Sequence, residues 1–136
     1  MNRTTYALIR FAIGTSMFAH GLVRIPKIKI FSAGMINTFQ KSMLPISLVK
    51  PFSIALPFIE FIIGILLIIG LFTKQTLIVA CIIMTMLIFG SGMIESWDAI
   101  NAQLIHIAFF CTLLAFISHN KIALDYLIKG RGKVIK

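Results

Sequence analysis

The sequence predicts an all-α integral membrane protein: a four-transmembrane-helix bundle with a short interfacial amphipathic helix between spans one and two. Of its 136 residues, 59% are hydrophobic and only 12% are charged, a composition too apolar for a soluble domain of this size. Four apolar runs are each long enough, at ~1.5 Å per residue, to cross the ~30 Å hydrocarbon layer of a bilayer. The basic residues cluster at the ends of these runs and in the carboxyl-terminal tail, which is typical of membrane topology signals.

The whole chain is predicted to be one membrane domain, because the four spans leave little sequence for anything else. Residues 24–50 form the only long connection, and residues 119–136 form a basic tail. We place the four spans at residues 6–23, 51–72, 76–94 and 99–118.

The net charge of +9 would suggest nucleic acid as the partner of a soluble protein. Here the basic residues lie at span ends, where they favour anionic lipid headgroups, so the predicted partner is the bilayer and not nucleic acid. Four spans put both termini on the same side, and that side also carries more of the basic residues. The positive-inside rule therefore predicts that both termini are cytoplasmic.

Span one carries a narrow stripe rich in small residues. Arg10, Gly14, Met17 and Gly21 lie within ~60° of one another on a helical wheel. The two glycines allow a neighbouring backbone to approach closely, which indicates that this face turns into the bundle. Arg10 is about one turn from the cytoplasmic end, so it is either a bundle residue or an anchor that reaches back to water.

The connection between spans one and two has the pattern of an amphipathic helix. Pro26 and Pro45 bracket a segment in which apolar residues recur every four positions, namely Phe31, Met35, Phe39 and Met43. This spacing predicts a helix in the outer interface of the membrane. Such a helix either covers a cavity that opens to that side or simply anchors the connection.

Span two has one charged side chain, Glu60, near its middle. A charged residue at mid-bilayer costs roughly 2.5 to 3.5 kcal/mol on insertion scales, so it usually faces inward against a partner. Gly64, one turn further on, lets a facing helix come close. The sequence therefore predicts a buried polar site around Glu60.

Depth along the spans indicates which groups share that site. Counting ~1.5 Å per residue from the outer ends puts Glu60 ~13 Å deep, with His106 at ~10 Å, Gln103 at ~6 Å and His20 at ~5 Å. These four groups, with Arg10 as a fifth candidate, are predicted to form one site in an outward-facing cavity. Glu60 and His106 are either a proton-handling or ligand-binding pair or a purely structural contact. No catalytic residue is assigned, and no His/Glu spacing predicts a metal site.

The chain resembles the DoxX-like family of small four-helix bacterial membrane proteins over nearly its whole length. Three groups of residues carry the resemblance. They are Arg10, Phe11, Gly14, Phe18, His20 and Gly21 in span one; Glu60, Gly64, Gly70, Leu71, Thr73 and Lys74 around span two; and Asp125 after span four.

The resemblance implies that the protein lies in the bacterial cytoplasmic membrane. It also implies that Arg10 and Glu60 correspond to the functional residues of the family. The family is named for a subunit of a thiosulfate:quinone oxidoreductase, which implies a redox role with quinone as candidate cofactor and a soluble redox protein or a homo-oligomer as candidate partner. Relatives in the wider superfamily resemble chaperones and cargo receptors. One hypothesis is therefore a quinone-linked membrane subunit in which Glu60 and His106 relay protons. The alternative is a non-catalytic scaffold or assembly factor in which Arg10 and Glu60 form an ion pair that fixes helix register.

Overall fold

The computed structural model describes residues 1–131, of which residues 1–128 have described side chains. The basic tail predicted over residues 119–136 therefore lies partly outside the described residues. The described chain is all-α, and six α-helices follow one another in it: α1 (Arg3–Arg24), α2 (Ile28–Phe39), α3 (Ile46–Ile69), α4 (Thr73–Met93), α5 (Trp97–Ala115) and α6 (Leu124–Arg131).

Four segments of the described chain are long and apolar enough to cross a membrane: Arg3–Phe39, Ile46–Ile69, Thr73–Met93 and Trp97–Ala115. The predicted all-α membrane bundle is thereby confirmed. The first segment contains both α1 and α2, joined by the short 3-10 helix Ile25–Lys27.

Local sequence explains where α1 begins and ends. The side chain of Asn2 accepts a hydrogen bond of 2.7 Å from the backbone N–H of Thr5, which satisfies one donor of the first turn. Pro26 occupies the start of the 3-10 helix, where its missing N–H costs little and where it ends the regular α1 geometry. The chain then enters α2 without an intervening loop.

Together, α1 and α2 run antiparallel to α3. A Cβ atom on Gly14 would lie 3.0 Å from Leu67 Cβ, and one on Gly21 would lie 2.5 Å from the backbone nitrogen of Phe61. Further along, the hydroxyls of Ser32 and Ser53 share a hydrogen bond of 2.7 Å. The small-residue stripe therefore faces another helix, as predicted. The amphipathic helix predicted between spans one and two is present, and it packs along the first half of α3.

The turn between α3 and α4 depends on a glycine. Gly70 has φ = +71°, and its N–H bonds to Leu66 O at 2.9 Å, a left-handed ending that favours glycine. Asp125 then caps α4 from a distance, since its two carboxylate oxygens accept from the N–H groups of Phe72 and Thr73, both at 2.8 Å. We call this end of the bundle, which contains residue 1, the α3–α4 turn and α6, the terminal end.

The core fills the terminal half of the bundle. Its buried residues come from α1, α3, α4 and α5 and include Tyr6, Met17, Leu67, Leu77 and Phe110. The helices associate mainly as two pairs, α1 with α3 and α4 with α5. Towards the opposite, distal end, which contains the 40–45 loop and the 94–96 turn, the space between the pairs forms a cavity that α2 lines on one side.

Candidate functional site

A cavity of about 810 Å³ lies between the two helix pairs in the distal half. Its walls are largely apolar, with aromatic and methionine side chains from α2, α3 and α4 such as Phe31, Met35, Phe52 and Phe89. The polar and charged side chains that line it are His20, Arg24, Thr38, Glu60, Ser91, Ser96, Gln103 and His106. A cavity of this size and chemistry suits a lipophilic molecule with a polar end.

Glu60 forms an ion pair with Arg24, the last residue of α1. The Arg24 Nη1 group donates to both carboxylate oxygens, at 2.7 Å to Oε1 and 2.6 Å to Oε2. The guanidinium also lies over the ring of Phe31, 4.9 Å from its centroid. The side chain of Glu60 is only 4% exposed, whereas that of Arg24 is 30% exposed. The inward-facing charge expected at the middle of span two therefore has its partner, and the antiparallel pairing of α1 with α3 provides it.

His106 lies beside this pair but does not hydrogen-bond to Glu60. Its Nδ1 lies 2.9 Å from Ala102 O, and its Nε2 lies 3.0 Å from Ser16 Oγ. A carbonyl can only accept, so Nδ1 carries a proton, and in the neutral ring Nε2 is then the acceptor for the serine hydroxyl. The ring of His20 lies 6.0 Å away, centroid to centroid. The predicted Glu60–His106 pair is thus two groups that line one cavity without direct contact.

Gln103 completes the predicted set. Its Nε2 donates to Ser91 Oγ at 2.9 Å, which ties α5 to α4 at the distal end. Its Oε1 is buried and has no hydrogen-bond partner among the described residues. Of the five predicted site residues, four therefore line the same cavity: Glu60, His106, Gln103 and His20.

Arg10, the fifth predicted residue, lies at the terminal end instead. Its guanidinium donates to the carbonyls of Leu67 and Ile68 near the end of α3, the latter at 3.2 Å, and to Ile122 O at 2.7 Å. The hypothesis that Arg10 pairs with Glu60 is wrong, because Arg24 occupies that place. Arg10 instead satisfies carbonyls that the end of a helix leaves without donors.

Sequence reasoning missed Arg24, which it assigned to the connection after span one. A signal was present, however. Arg24 follows Arg10 by 14 positions, which at ~100° per residue returns to within ~40° of the same helix face. The stripe that turns into the bundle therefore continues past the predicted span end to Arg24.

A second, smaller cavity of about 310 Å³ adjoins the first. It is lined by the last turns of α1 and shares His20 and Arg24 with the larger cavity. Among the described residues, no group of three or more His, Cys, Asp or Glu side chains is placed to hold a metal ion. The described site offers hydrogen-bond donors and acceptors and one ion pair.

Comparison with known proteins agrees with the resemblance seen in the sequence. The model of the DoxX family matches residues 5–93, which is more than half of the chain and includes α1, α2, α3, α4 and most of the cavity wall. No curated protein and no solved structure matches the chain. On the strength of the family match, this membrane protein, with its four apolar spans, belongs to the DoxX family.

Proposed function

We propose that the protein is the membrane subunit or partner of a redox system in the bacterial cytoplasmic membrane, with both termini cytoplasmic, and that its cavity holds a quinone. The observation that carries this proposal is the cavity itself. Its volume of about 810 Å³ falls within the 300 to 1,000 Å³ that is usual for small-molecule sites.

The combination of apolar and polar side chains in the cavity lining supports a quinone-like ligand. Phe31, Phe52 and Phe89 provide apolar surface for a ring and its tail. Charged and polar groups also line the cavity, including the Arg24–Glu60 pair, and suit the oxygen-bearing head. His106 is the candidate for handling protons, because it lines the cavity and an imidazole is the side chain that most often transfers protons.

Two neighbouring small residues on α2 offer a matched test. A Cβ atom on Gly34 would meet nothing within 4 Å, and Gly34 lines the cavity. Gly34→Phe should therefore fill the cavity without disturbing the packing of α2. Ala33 is exposed and does not line the cavity, so Ala33→Phe adds a similar side chain to the same helix and serves as the control.

Native mass spectrometry of protein extracted gently from its own membrane gives the readout. We expect a quinone-sized adduct on the wild-type protein and on Ala33→Phe, and its loss from Gly34→Phe. An adduct that survives equally in Gly34→Phe would place the ligand outside this cavity and refute the proposal. Protein without any adduct, bound to a stoichiometric soluble partner, would instead favour a non-catalytic scaffold or assembly factor.

A further inference from the structure

We propose that Arg24 is the residue that contacts the head of the ligand, that Glu60 serves to position Arg24, and that the head carries a neutral hydrogen-bond acceptor such as a carbonyl oxygen. This inference rests on the proposed function, because it concerns the ligand of the same cavity. It reverses the roles that the sequence suggested, in which Glu60 met the ligand and Arg24 lay in a loop.

Glu60 is paired and presents little surface to a ligand. Both of its oxygens already accept from Arg24 Nη1, at 2.7 and 2.6 Å. Its side chain is 4% exposed. A ligand that bound to this carboxylate would have to displace the guanidinium and leave a charge unpaired in an apolar environment, which is strongly unfavourable.

Arg24 has N–H donors that are not used in its contact with Glu60. A guanidinium carries five N–H donors, and all of the hydrogen bonds that Arg24 makes with described residues use Nη1. Its Nη2 and Nε groups therefore have no partner among the described residues, and the side chain is 30% exposed and lines the cavity. The contacts with Glu60 and with the ring of Phe31 fix the plane of the guanidinium. The result is a set of fixed donors at the cavity surface.

The charge balance of the cavity selects a neutral head. Arg24 and Glu60 are the only Lys, Arg, Asp or Glu residues in its described lining, and their charges cancel. An anionic head would need a second cation to offset its desolvation, and the lining supplies no such Lys or Arg. A carbonyl oxygen can accept from Arg24 without adding charge.

A pair of matched probes isolates the proposed contact. Decyl-benzoquinone and decylbenzene have the same tail, but only the quinone has acceptor oxygens. From an equimolar mixture, the wild-type protein should bind the quinone in preference, about tenfold or more, as expected for a hydrogen bond to a charged donor. The bound ratio is read by native mass spectrometry.

The variants must keep the protein folded. Removing one member of a buried ion pair is strongly destabilising, whereas replacing both members by apolar residues of similar size is often neutral. The variant Arg24→Met with Glu60→Met should therefore keep the thermal stability of the wild type, still bind both probes, and lose the preference for the quinone. A preference that persists in this double variant would overturn the proposal.

Two further variants test the positioning role of Glu60. Arg24→Lys keeps the charge and the pair but loses the planar fork, so it should show an intermediate preference. Glu60→Gln should weaken the preference when Arg24 is present, and in an Arg24→Met background glutamine and methionine at position 60 should give the same ratio of bound probes. An additive effect of Glu60 in that background would show that Glu60 contacts the ligand itself.

Failure of the inference can be told apart from failure of the proposed function. If neither probe binds the wild-type protein, or if Gly34→Phe leaves binding unchanged, the proposed function is wrong and the inference falls with it. If both probes bind in the cavity without preference, only the inference is wrong. Decanoate serves as an anionic probe, and binding of decanoate in preference to the quinone would likewise overturn the neutral-acceptor assignment.

Discussion

The contact between α1 and α3 is expected to depend on the absence of a side chain at Gly21. A Cβ atom there would lie 2.5 Å from the backbone nitrogen of Phe61 and 2.6 Å from its Cβ. Heavy atoms are comfortable at roughly 3.5 to 4.0 Å, so Gly21→Ala would force the two helices apart by about 1 Å. The contacts are with backbone and Cβ atoms, which cannot rotate away.

The expected cost follows from a comparison with a second glycine. Overpacking a well-packed site costs about 1 to 3 kcal/mol, whereas replacing glycine by alanine in a helix gains about 1 kcal/mol. Gly34→Ala receives the same gain in α2 without a clash, because a Cβ there meets nothing within 4 Å. The difference in free energy of unfolding between the two variants should therefore be about 1 to 3 kcal/mol, with Gly21→Ala the less stable.

Reversible denaturation with SDS in a mild detergent, followed by circular dichroism, measures this difference. Both variants are expected to remain helical at low SDS, and Gly21→Ala should unfold at a lower SDS fraction than Gly34→Ala. Equal midpoints would refute the close approach of α1 and α3 at this level. The result bears on the site as well, because Arg24 lies less than one turn beyond Gly21.

Three further predictions concern the terminal end and the α4–α5 contact. Arg10→Met should lower the free energy of unfolding by about 3 kcal/mol in the same SDS assay, because it removes charge-assisted hydrogen bonds to buried carbonyls; unchanged stability would contradict that role. Asp125→Ala should lower it by about 1 to 2 kcal/mol, since the first N–H groups of α4 lose their acceptor, and a neutral result would argue against the cap. Mild oxidation should join Cys81 and Cys111, whose sulfur atoms lie 3.9 Å apart, in a disulfide seen as a gel shift that Cys81→Ser abolishes; no shift in the wild-type protein would contradict the α4–α5 register.

The parts of the fold that follow from hydrophobic pattern could be predicted, and the parts that depend on helix register could not. Four apolar runs and the stripe of Gly14 and Gly21 indicate a bundle and its packing face, because the cost of exposing polar groups to lipid leaves few alternatives. The partner of Glu60 depends on which turn of α1 faces which turn of α3. The hydrophobic pattern of a single helix does not give the register between two helices. In addition, the predicted end of span one at residue 23 left Arg24, the partner of Glu60, outside the span.

Helix register also explains why Arg10 does not lie at the site predicted for it. An arginine and a glutamate on adjacent spans suggest an ion pair from charge alone, but the antiparallel register puts Arg10 opposite Leu67 and Ile68, near the end of α3, and puts Arg24 opposite Glu60. Arg10 therefore bonds to carbonyls at the end of a helix, and Arg24 bonds to the carboxylate of Glu60.

The polar groups at the two ends of the bundle therefore differ in what they contact. At the terminal end, Arg10 is 4% exposed and bonds to the backbone, as Asp125 does, so these polar groups are used to close the bundle. At the distal end a cavity lies between the helix pairs, α2 lines it on one side, and Arg24 lines it with N–H donors that bond to no described residue. Residues 5–93, which match the family model, include both arginines and Glu60. The cavity walls that α2 and α5 contribute are separate from the contact of α1 with α3, so side chains in those walls can change without altering that packing.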